Sequence, residues 1–132
     1  MNNLVTWLMN YALDHNISCI FNKLNADIPS CAIPDKRTII INTNGDANTL
    51  PFIIAHEIAH VLDDDTGILY YQSYSSHMKF EHAANKKAIA ILMQYCQENN
   101  IALESYIAFA ERFGIPGTLF DTVCEELGEY EI

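Results

Sequence analysis

Positive charge is what this sequence has least of. Seven Lys and Arg stand against 17 Asp and Glu in 132 residues, a formal net charge of −10 at neutral pH. A field of that sign repels a polyanion, so direct nucleic-acid binding is not expected. Nor do the basic residues gather into a local exception, since Lys36-Arg37 and Lys86-Lys87 are the only adjacent pairs. Long apolar runs are also missing: nothing approaches the roughly 18 consecutive apolar residues of a membrane span. The opening Met1-Asn2-Asn3-Leu4-Val5-Thr6-Trp7 has neither the basic region nor the apolar run of a secretory signal, so a cytoplasmic protein is expected. The four cysteines, Cys19, Cys31, Cys96 and Cys124, form no C-x-x-C pair, which excludes a ribbon-type metal site and a dithiol redox motif. Reduced, mostly buried thiols are the expectation.

Half of the residues are apolar, enough for one modest core, and residues 1–132 are read as a single domain. Leu4, Val5, Leu8, Met9, Ala12 and Leu13 recur at helical spacing, with Trp7 and Tyr11 extending the face, and predict a helix over about 3–15 that Asn16 closes. Residues 17–21 are β-prone, and Thr38-Ile39-Ile40-Ile41-Asn42 is a clearer strand between the turn residues Pro34-Asp35 and Asn44-Gly45-Asp46. Asn48 or Thr49 can cap a second helix with Pro51 in its first turn, and Asp63-Asp64-Asp65-Thr66-Gly67 ends it. The tyrosine- and serine-rich stretch from Ile68 to His77 lacks periodicity and reads as a loop over the site. Further helices are predicted over about 79–97, 103–113 and 118–127, the last two parted by Gly114-Ile115-Pro116-Gly117. The fold class is α+β, mostly helical with one small sheet.

Within the second predicted helix lies His56-Glu57-Ile58-Ala59-His60. Histidines four apart share a helix face, so both imidazoles can address one metal ion. With one further anionic ligand they leave a coordination position open, where Zn²⁺ lowers the pKa of a water to about 7. Glu57 is placed to reach that water without being a ligand, which is the arrangement for metal-assisted hydrolysis of a peptide bond with Glu57 as general base. The favoured third ligand is Glu81, at the start of the next predicted helix, with Asn85 one turn on to support a ligand. Asp63, Asp64 and Asp65 compete for that place but read as a solvated turn. His77 and His82, or Tyr70, Tyr71 and Tyr74, are candidates to donate to a tetrahedral oxyanion.

Taken with Glu81-His82-Ala83-Ala84-Asn85, Ala88-Ile89-Ala90-Ile91-Leu92-Met93 and the preceding strand Thr38–Asn42, the motif resembles the ImmA/IrrE family of zinc-dependent peptidases. The resemblance spans most of the chain, with the elements in the same order. It implies a zincin-like fold in which His56, His60 and Glu81 bind Zn²⁺ and Glu57 is the base. It also implies a protein substrate, a helix-turn-helix transcriptional repressor of a phage or mobile element. The chain departs from the family pattern at Ala83, at Lys87-Ala88 and at Gln94. The alternative reading is a non-catalytic antirepressor that binds the repressor and occludes it.

Overall fold

A run of three isoleucines builds the centre of the sheet. In strand β3 (Thr38–Asn42) the branched side chains favour extended backbone, and Ile39 and Ile41 alternate inward to full burial. The computed structural model describes residues 3–64 and 74–128. In it β3 lies between β1 (Ser18–Asn22), which it pairs in parallel, and β2 (Cys31–Ile33), which it pairs antiparallel. The register sets Cys19, Ile39 and Ala32 abreast on the core side and Ile20, Ile40 and Cys31 abreast on the other. Strand β2 was not anticipated. Three residues closed off by Pro29 and Pro34 are too few to show a period of two.

Five α-helices complete the described structure: α1 (Asn3–Asp14), α2 (Leu50–Leu62), α3 (Tyr74–Glu98), α4 (Tyr106–Phe113) and α5 (Phe120–Gly128). Leu8 and Ala12 from α1, Ile54 and Ile58 from α2, Ile89 and Leu92 from α3, Phe113 from α4 and Leu127 from α5 meet in one core with Ile39 and Ile41. Burying a side chain such as Ile58 contributes about 1.5–3 kcal/mol. Asn16, with φ of 61°, turns the chain out of α1 as expected. Among the described residues no helix is long and apolar enough to cross a membrane.

Two helix starts differ from the sequence reading. Helix α3 begins at Tyr74 rather than at residue 79, so the end of the stretch read as a loop is helical, while 65–73 lie outside the described residues. Ser75, Ser76 and His77 are poor helix formers, but only by about 0.5 kcal/mol each, and a helix nucleated downstream absorbs them. Helix α4 begins at Tyr106 rather than at residue 103, because the Ser105 side chain caps it by accepting from the Ala108 N–H at 3.0 Å. Leu103 still packs on the core, from the loop. The four cysteines are free, but only Cys96 is buried, against the expectation of mostly buried thiols: Cys19 and Cys124 are half-buried, and Cys31 is exposed on the outer side of an edge strand.

Helix α2 carries the motif and is held at both ends. A 3₁₀ turn (Ala47–Thr49) leads into it, capped by Asp46, whose side chain accepts from the Asn48 N–H at 2.9 Å. Thr49 occupies the N-cap position, but its hydroxyl donates to the Asp46 carbonyl instead of capping α2. The chain after α4 is packed against that turn at Gly114, which has φ of 71° and would place a Cβ 2.0 Å from the Asn48 carbonyl oxygen. Both the left-handed backbone and the backbone contact exclude a side chain. Gly114→Ala is therefore expected to destabilise the protein by about 2–4 kcal/mol in chemical denaturation, from strain and from displacement of the turn. A loss below about 0.5 kcal/mol would show that the turn moves freely.

Candidate metal centre

The two faces of α2 have different work. Ile54, Ala55, Ile58, Ala59 and Val61 are buried, while Ile53, His56 and Glu57 keep partial exposure. Helix α3 lies alongside, and α2 and α3 form the most extensive helix pairing in the described structure. Alanines at 55 and 59 on α2 and at 84 and 88 on α3 are fully buried, and small residues let two helix axes approach closely. That closeness allows Glu81, projecting from α3, to span both histidines.

Glu81 Oε2 lies 2.8 Å from His60 Nε2, and Glu81 Oε1 lies 3.1 Å from His56 Nε2. The two Nε2 atoms are themselves 3.1 Å apart. All three ligand atoms fall within 4.8 Å of one another, and among the described residues this is the one group of at least three such side chains able to hold a metal ion. Bonds of 2.0–2.1 Å in a tetrahedral site would separate ligand atoms by about 3.3 Å, so the observed spacings need only a few tenths of an ångström of expansion. The donor chemistry fits as well, since two imidazole nitrogens and a carboxylate offer lone pairs to one point. His56 Nδ1 is buried and has no hydrogen-bond partner among the described residues, whereas a ligating imidazole usually donates from its second nitrogen.

Glu57 stands beside this group. Burial pushes its carboxyl up to about 7; His56 and His60 pull it down in part, and Glu81 adds a further rise. A divalent cation at the three donors would lower it again by direct attraction. A carboxyl buried in this way can hold or release a proton near neutral pH, as general acid–base chemistry requires. The sheet adds Cys31 to these surroundings: its thiol, though exposed, is raised by partial desolvation and then by the Glu57 carboxylate. The sequence held no sign of this neighbour, because β2 itself was not legible.

The rival ligands lie elsewhere. Asp63 forms an ion pair with Lys87, and Asp64 is exposed at the end of α2 with φ of 54°. Asp65, Tyr70 and Tyr71 lie outside the described residues, as does the side chain of Tyr74. His82 is exposed; His77, one turn before Glu81 on the same face of α3, is half-buried. Asn85, half-buried one turn beyond Glu81, makes no hydrogen bond to His56, His60 or Glu81.

A protein-family model described as the IrrE N-terminal-like domain, Peptidase_M78, matches residues 13–125. The chain belongs to the IrrE N-terminal-like family. No curated protein and no solved structure matches it. Membership in the IrrE N-terminal-like family makes the chain a metallopeptidase in type, with a metal cofactor and a protein substrate. The matched segment contains all of α2 and α3, and with them every donor of the cluster.

In the metal-free protein the burial of Glu57 has a consequence for stability. Its folded-state pKa of about 7 exceeds the ordinary value of 4.5, so between these pH values the native state binds more protons than the unfolded state. Stability from this group is full below about 4.5, falls as pH rises, and levels off above about 7. Metal-free Glu57→Gln should match the parent at pH 4 and exceed it at pH 8 by on the order of 2 kcal/mol in urea melts. Parallel pH profiles for the two proteins would contradict the burial of this carboxylate.

Proposed function

We propose that the chain is a zinc-dependent endopeptidase that hydrolyses one bond of a specific protein, a helix-turn-helix repressor of a phage or mobile element, in the cytoplasm. The observation that carries the hydrolytic reading is the convergence of His56, His60 and Glu81 on one point beside the half-buried Glu57. The choice of a repressor rests on the resemblance to the ImmA/IrrE family. A chain of net charge −10 is also compatible with a partner that carries basic, DNA-binding patches.

His56, His60 and Glu81 would hold the ion, leaving a coordination position to solvent or substrate. Zinc held there supplies Lewis acidity toward a water and toward the scissile carbonyl. Glu57 would take a proton from the attacking water and return it to the leaving amine nitrogen. A purely structural ion is disfavoured, because such sites usually close with four protein ligands and have no neighbouring base.

Elemental analysis of purified parent protein should find about one zinc per chain, and Glu81→Ala should lose most of it, since a two-histidine remnant chelates weakly. Glu57→Gln should keep the metal but slow cleavage of the repressor by about 10²–10⁴-fold. If Glu57→Gln relieved repression as fully as the parent, binding and occlusion would replace hydrolysis as the function. A folded parent that takes up no metal from zinc-replete medium would point the same way.

A further inference from the structure

The segment 23–30, between β1 and β2, contains no helix or strand, yet it is held tightly. Asn42, at the end of β3, uses its whole side chain for this. Its Oδ1 accepts from the N–H groups of Leu24 and Asn44, each at 3.0 Å. Its Nδ2 donates to the carbonyls of Asn25 at 2.9 Å and Ile28 at 2.7 Å. The Asn42 N–H donates to Ser30 Oγ at 2.8 Å, and Asn44 Nδ2 donates to the Leu24 carbonyl at 2.8 Å. Ordering an irregular loop costs about 1–2 kcal/mol per residue in backbone entropy, so hydrogen bonds at this density define a surface of fixed shape.

That surface encloses a cavity of about 160 Å³ against the first turns of α2. Ile28, Pro29, Leu50 and Ile53 supply apolar walls, Ser30, Asn42, Thr43, Asn44 and Thr49 supply polar ones, and among the described residues Asp46 is the one charged side chain that lines it. Typical small-molecule and cofactor pockets are about 300–1,000 Å³, so this one is sized for a single side chain. Its place relative to the metal donors follows from α2. Ile53 precedes His56 by three residues and Glu57 by four, which sets it on the same face one turn back, about 5 Å along the axis. On the sheet side the lining residue Ser30 adjoins Cys31, on the strand that packs against α2. An extended peptide advances about 3.3 Å per residue, so an offset of one helical turn is within the span of one or two residues of such a chain.

We propose that this cavity is the specificity subsite for the substrate residue adjacent to the scissile bond, and that it selects a medium-sized aliphatic side chain such as Leu or Met. The inference rests on the peptidase reading above. The walls reward buried apolar surface. Asp46, with one carboxylate oxygen already engaged by the Asn48 N–H, turns away acidic side chains. Being exposed, it offers a cation only a screened and modest attraction.

Two measurements on the full chain test the subsite separately from catalysis. In the first, the zinc-loaded protein is titrated with peptidyl hydroxamates, anchored by the chelating group, that carry Gly, Leu, Lys or Glu at the adjacent residue. Leu should bind about tenfold or more tighter than Gly, Lys or Glu. Ile28→Trp, at a loop position already 43% exposed, should fill the cavity and level the series. Equal affinities in the parent, or tightest binding by Lys or Glu, would overturn the proposal. In the second, isoleucine methyl groups are followed by NMR as N-acetyl-leucine amide is added with and without zinc. The Ile28 and Ile53 methyls should shift saturably, and N-acetyl-glutamate amide should leave them unmoved. Hydroxamates that bind while these methyls stay silent would remove the subsite and leave the metallopeptidase reading intact. Methyl shifts in a protein that binds no hydroxamate would leave a leucine-binding cavity but remove the peptidase reading, and with it the subsite.

Discussion

Two imidazoles and a carboxylate held within about 3 Å of each other bring lone pairs together, and such an arrangement is stable only with protons or a cation among them. Everything that positions α2 against α3 serves this one convergence. Neither helix could provide it alone: His56 and His60 share one turn of α2, but Glu81 reaches them only because buried alanines on both helices permit close packing. The large apolar residues of α2, Ile54 and Ile58 among them, are fully buried in the core shared with the sheet and the other helices. Packing sets the distance, and the distance selects the chemistry.

The same division explains what could be read in the sequence. Strand β3 matched residue for residue, because a β-branched run between turn residues is a local signal. Helix α2 and its two histidines were legible for a similar reason, since a helix face is a matter of spacing along the chain. Glu81 was nominated from its place in the next helix, and the structure brings it to the histidines. Strand β2, the helical residues of α3 before 79 and the exposure of Cys31 were not legible. Each depends on partners distant in sequence: Cys31 pairs with Ile40, and α3 is secured by packing well beyond its first turn. The loop 23–30 is the extreme case. Its order comes from Asn42 and Asn44, residues that local sequence reading can only assign to a strand end and a turn.

Glu57 illustrates how environment decides the role of a residue that sequence can only nominate. A glutamate on a solvated helix face would titrate near 4.5 and be a weak base at neutral pH. Here the surrounding chain withholds water from it and raises its pKa to about 7, against the pull of two histidines. Placing positive charge at the neighbouring donors opposes that rise, so the proton affinity of Glu57 is coupled to whatever occupies the cluster. Ligand set and carboxylate are thus one electrostatic unit, which is why their adjacency carries more weight than either feature by itself.

The asymmetry of support around α2 bears on how rigid this unit is. Its amino-terminal end is fixed by backbone, with the Asn48 carbonyl against Gly114 and Asp46 capping the preceding turn. At the carboxyl-terminal end the hold is the side-chain pair Asp63 with Lys87, partly exposed and hence weaker. His60 is the more deeply buried of the two histidines and lies closer to Glu81 than His56 does. Contact with α3 thus holds the carboxyl-terminal end of the helix at the residue where the metal donors need it most.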